Sequence, residues 1–120
     1  MFRYVAMMVC ALIGMAPAPV EAGILFARDA TVPRPVREFA WRVIETRCHY
    51  QSFEREQRSF WAYDAQQTSA GVYSINVLSE RTWKKAEPPA VIAMTIVDDG
   101  GLRLTALTSS FAVCASLPPA

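Results

Sequence analysis

Val91-Ile92-Ala93-Met94-Thr95-Ile96-Val97-Asp98-Asp99-Gly100-Gly101-Leu102-Arg103-Leu104 decides how this chain folds. An apolar run and a shorter alternating run flank four turn residues. Asp-Gly accepts the positive φ of a type I′ turn, so the stretch predicts a tight β-hairpin. Centring the turn on Asp99-Gly100 pairs Val97 with Leu102, Thr95 with Leu104 and Ala93 with Ala106. That register gives the face of Val91, Ala93, Thr95 and Val97 to the core. Ile96 opposite Arg103 and Met94 opposite Thr105 form the other face. Beyond Ala106 the alternation passes to Leu107, Phe111 and Val113, which predicts a β-bulge near Ala106-Leu107.

Working upstream, Arg81 to Pro89 reads as a loop carrying Lys84-Lys85 and Pro88-Pro89. Tyr73, Ile75 and Val77 alternate with Ser74 and Asn76, the pattern of a strand with one wet face. Gln66 to Gly71 is turn-like, and Phe60-Trp61-Ala62-Tyr63 is an aromatic-rich strand. Phe53 to Arg58 is polar and fits either a continued helix or an exposed strand. Val36, Phe39, Ala40, Val43 and Ile44 recur at helical spacing and predict a helix over about 35–49, with Pro35 in its first turn. Glu38 and Arg42 stand four apart in the favourable order on its wet side. Ile24-Leu25-Phe26 is an edge strand or a loosely held arm.

One N-terminal helix followed by about four antiparallel strands is the α+β class. This order resembles the cystatin-like plan, in which a sheet curls around an N-terminal helix. The resemblance lies in element order alone, and element order carries no functional warrant.

The two ends of the chain bear on where the protein works. Met1-Phe2-Arg3-Tyr4 is a positive start, Val5 to Met15 is uncharged and apolar, and Val20-Glu21-Ala22 precedes Gly23. That order reads as a signal peptide over 1–22 and a single domain over 23–120. The apolar run is shorter than the ~20 residues of a membrane-spanning helix, so no stable anchor is expected after cleavage. Cleavage would leave 98 residues with 11 basic and 10 acidic groups. Such a balance argues against a nucleic-acid binder and against a polybasic membrane-surface protein. Cys10 follows Val9 inside the apolar run, which does not suit a lipidated cysteine. Cys48 and Cys114 remain, and in an oxidising periplasmic or extracellular compartment they are expected to form a disulfide.

No residue pattern demands catalysis. His49 is the only histidine, so a metal pair of histidines is excluded, and a nucleophile–base machine would need it. Asp98 and Asp99 are explained by the turn. No spacing forces Glu54, Glu56, Asp64 and Glu80 together. There is no calcium loop, no G-x-S-x-G elbow and no phosphate loop, and no cofactor is expected.

The densest cluster is aromatic and basic, with Tyr50, Phe53, Arg55, Arg58, Phe60, Trp61 and Tyr63 within 14 residues. Tyr, Trp and Arg dominate interface hot spots, so Arg55, Arg58, Trp61 and Tyr63 are the candidate binding residues. The expected function is a small exported protein that binds a protein partner, such as an inhibitor, immunity protein or secretion accessory. The alternative is a small secreted hydrolase or isomerase with its site inside the curled sheet.

Overall fold

The computed structural model describes residues 23–81, 88–110 and 114–115. The leader expected over 1–22, the Lys84-Lys85 part of the loop, Phe111, Val113 and Pro118-Pro119 lie outside the described residues. The elements are β1 (Ile24–Phe26), α1 (Arg34–Arg47), α2 (Ser52–Glu56), β2 (Arg58–Ser69), β3 (Val72–Arg81), β4 (Ala90–Asp98) and β5 (Leu102–Ser109).

The class is α+β, with a sheet of five strands in the order β1-β2-β3-β4-β5. Two features correct the expectation of one helix and about four antiparallel strands. β1 is a true strand and pairs parallel to β2, which makes the sheet mixed. The cause is the helix between them: α1 carries the chain back along the sheet, so both strands run the same way, as parallel pairs joined by a crossover must. The polar Ser52–Glu56 stretch also forms a second, five-residue helix instead of extending either neighbour.

α1 forms where the apolar stripe predicts it. Pro33 accepts backbone bonds from Val36 and Arg37 at 3.0 and 3.1 Å, and Pro35 occupies the first turn. Val36, Ala40, Val43 and Ile44 are buried, with Phe39 and Trp41 packed partly against the core. Glu38 does not pair forward with Arg42. It accepts from Arg34 Nε at 3.2 Å, while the Arg42 guanidinium lies 6.0 Å over the Phe39 ring.

The hairpin closes, but one residue out of the expected register. Asp98 stands opposite Leu102, Val97 opposite Arg103 and Ile96 opposite Leu104. A three-residue loop, Asp99-Gly100-Gly101, replaces the two-residue turn, with Gly100 at φ 104°. An irregularity at Thr105 then restores a partner phase that puts Leu107 opposite Met94. The bulge therefore falls one residue before its expected place. The face assignment of β4 is reversed: Ala90, Ile92, Met94 and Ile96 are buried, and Val91, Ala93, Thr95 and Val97 are not. A one-residue slip exchanges the faces of a strand. With Leu102 and Leu104 packed against the core, the bulkier set of β4 joins them.

The core lies between α1 and one face of the sheet, and Ile44, Ile75, Ile92, Ile96 and Leu107 are fully buried in it. Each such side chain stabilises the fold by about 2–3 kcal/mol, and truncating Ile92 to alanine would cost about 2–5 kcal/mol. β2 continues to Ser69, beyond the expected turn start, and Ala70-Gly71 makes the reversal. Gly71 has φ 72°, and a Cβ there would lie 2.6 Å from the Asp98 carbonyl oxygen, so only glycine fits. The Asp98 N–H donates to the Gly71 carbonyl at 2.8 Å, tying the two turns together.

Cys48, which ends α1, is disulfide-bonded to Cys114. Cys114 lies beyond β5 and not within it, in an isolated antiparallel bridge with Cys48. The Ala115 N–H extends that bridge to the Arg47 carbonyl at 2.9 Å.

Candidate functional site

Alternation along β2 sorts the aromatic–basic cluster onto two faces. Phe60 and Ala62 are buried, whereas Trp61 is 48% exposed and Tyr63 46% exposed. The ladder is irregular between Ala62 and Asp64, which makes Tyr63 the extra residue of a bulge. The bulge shifts the strand's phase so that Ala65, opposite buried Ile75, turns back toward the core.

Trp61 is the centre of a cross-strand row on the face opposite α1. It stands opposite Leu25 on β1 and Leu78 on β3, and Leu78 stands opposite Val91 on β4. Leu25 is 68% exposed, while Leu78 and Val91 are half-buried. Four neighbouring strands thus present apolar or aromatic side chains in one line, beside Tyr63. Among the described residues no element packs over this row. Cross-strand neighbours lie about 5 Å apart, so the four side chains form one continuous patch. Contiguous exposed apolar surface of this kind marks an interaction site.

The two arginines lie elsewhere. Arg58 shares the inner face with Phe60. Its Nη1 donates to the Ser79 Oγ at 3.1 Å, and its guanidinium lies 4.3 Å over the Tyr50 ring. Arg55, on α2, donates to the Tyr50 carbonyl at 3.1 Å. Both border a cleft of about 420 Å³ with Trp41, Glu45 and Glu56. The four candidate residues therefore make two groups: Trp61 and Tyr63 on the open face, Arg55 and Arg58 at the cleft. Two arginines and two glutamates leave the cleft lining with no charge preference.

Sequence reasoning did not include Leu25, Leu78 or Val91 in the candidate site. Their alternation was readable; the strand pairing that aligns them with Trp61 was not. Phe53, 63% exposed on α2, belongs to neither group.

His49 is exposed and follows the disulfide-bonded Cys48, whose sulfur is not a free nucleophile. Among the described residues no three His, Cys, Asp or Glu side chains converge to hold a metal ion. The inner sheet face, where the alternative reading places a catalytic site, is among the described residues lined mainly by apolar side chains, with Ser79 the buried polar residue. Among the described residues, Asp99 is the one carboxyl group held clearly below its ordinary range. Its hydrogen bond from Arg103, at 2.8 Å, favours the charged form. The chain matches no family model, no curated protein and no solved structure.

Proposed function

We propose that this is a small exported protein that binds a protein partner through the outer sheet face centred on Trp61. The row Leu25–Trp61–Leu78–Val91 supports the reading, because a flat apolar patch suits a protein surface better than a small ligand. The Cys48–Cys114 disulfide fits an oxidising compartment. The charge order of residues 1–22 supports periplasmic delivery or secretion, with cleavage after Ala22. Inhibitors, immunity proteins and secretion accessories are the kinds of protein this reading includes.

Photo-crosslinking in the native host tests it. A photoreactive phenylalanine analogue in place of Trp61 or Leu25 should give one shared protein adduct, and the same probe at exposed Glu45 should not. Equal adducts from all three positions, or none from Trp61, would overturn the outer face as the binding site. Intact mass of the exported protein decides the leader: a dominant species retaining Met1 would remove the export argument.

A further inference from the structure

β5 is the last strand of the sheet and, among the described residues, pairs with β4 alone. A free strand edge exposes a row of unpaired N–H and C=O groups. Between this edge and α1 lies a cleft of about 460 Å³. Phe39, Leu102 and Leu104 contribute apolar surface to it, and Arg42 and Arg47 supply positive charge, while Arg103, opposite Val97, alternates to the other face of β5. Among the described residues no carboxylate lines it. Asp99 engages Arg103 at 2.8 Å, whereas Arg42 and Arg47 have no carboxylate partner among the described residues. Arg42 stands over the Phe39 ring, and Arg47 is held at its backbone by the Ala115 N–H. Among the described residues, two exposed guanidinium groups thus remain available beside an apolar floor and an open edge.

We propose that this α1–β5 groove is a second recognition site, which takes an extended acidic segment of a partner protein as an added strand. Three observations select that occupant. The open edge of β5 can hydrogen-bond an extended backbone. Alternate side chains of such a strand point to one face, so every second residue would reach the floor formed by Phe39, Leu102 and Leu104. The arginine fork binds carboxylates bidentately, and Arg42 and Arg47 stand on α1 with Phe39, so an acidic residue among the α1-facing positions meets them. The bulge at Thr105 interrupts the regular edge, which confines the docked segment to a few residues beside Leu102–Leu104. The site is separate from the outer face and does not depend on the function proposed for it.

The test uses acetylated seven-residue peptide pools in which every second position holds Val, Ile, Leu or Phe, with Glu or Asp at one of those positions and Ser or Thr between them. Each pool is titrated into the isotopically labelled full protein and followed by backbone amide shifts. The acidic pool should perturb Leu102–Thr105 together with Arg42 and Arg47, and the matching lysine pool should not. Charge reversal in the Arg42→Glu, Arg47→Glu double variant should weaken binding at least tenfold, and N-methylation of alternate peptide bonds should abolish it. Trp61→Ala should leave the titration unchanged. The proposal falls if the acidic pool leaves β5 unperturbed, if the lysine pool binds equally, or if charge reversal has no effect. It also falls if β5 is instead occupied by a second copy of the chain, seen as concentration-dependent dimerisation that Arg42→Glu does not weaken.

Discussion

Arg58 on β2 and Ser79 on β3 meet across the sheet, with the guanidinium Nη1 donating to the serine Oγ at 3.1 Å. Ser79 is fully buried, so its hydroxyl depends on this donor. An unsatisfied buried hydroxyl costs about 1–3 kcal/mol, and loss of the Tyr50 cation–π contact adds about 1 kcal/mol. Arg58→Ala is therefore expected to destabilise the protein by about 2–4 kcal/mol in urea denaturation. Arg58→Ala, Ser79→Ala together should cost less than the two changes summed. An unchanged denaturation midpoint for Arg58→Ala would show that the contact contributes nothing.

Trp61 and Tyr63 carry a different expectation. Neither supports the core, so alanine at either position should change stability by less than about 1 kcal/mol. If Trp61 anchors the partner, its removal should weaken binding by about 2 kcal/mol or more. His49→Ala should alter neither quantity. Loss of activity in a folded His49→Ala protein, with silent Trp61 and Tyr63 variants, would replace the binding reading with an enzymatic one.

The disulfide closes a loop of 66 residues between the end of α1 and the segment beyond β5. Chain-entropy arguments give roughly 4 kcal/mol for a loop of this order. In a domain of this size that corresponds to a fall in Tm of about 15 °C or more on reduction. Unfolding with and without a reductant measures it. Thiol labelling of the unfolded, unreduced protein should modify neither Cys48 nor Cys114.

Asp99 gives the turn a dependence on acid. Its carboxyl is held below the ordinary value of 3.8 by the hydrogen bond from Arg103. A depressed folded-state pKa adds stability that is present above pH 3.8 and is lost as pH falls below it, through the folded value. The pair is exposed, so salt should reduce the effect. Carbon-13 titration should place the Asp99 midpoint under 3.8 in the native protein and return it to that value in Arg103→Ala. An identical midpoint in both would mean that the pair does not form in solution.

What the sequence disclosed follows from which interactions are local. The α1 stripe and the β3 alternation depend on near neighbours, and both elements stand where those patterns put them. The β4–β5 hairpin was readable as a hairpin but not in its register. Gly101 follows Gly100, so the loop can take a third residue, and core packing of Leu102 and Leu104 selects that solution. The direction of β1 depends on how a long crossover returns, and no nearby residue encodes it. Arg58 was readable after all. It has the same parity as buried Phe60 and Ala62, and strict alternation separates it from Trp61. The density of residue types had grouped side chains that the pleat sends to opposite faces.

β1 has a consequence for the order in which this protein assembles. β2 through β5 follow one another along the chain and in the sheet, so each can zip onto its predecessor after a short search. Ile24 instead meets Phe60 across a separation of 36 residues, through only three paired positions. The loop-closure entropy must be met before that pairing returns any energy. β1 is then the last strand to dock and the first to open, and its amides should exchange with solvent well ahead of those in β3 and β4. Leu25 rides on that strand. The outer apolar row is therefore complete only while β1 is docked, and a partner that grips Leu25 would slow exchange along a strand it need not otherwise touch.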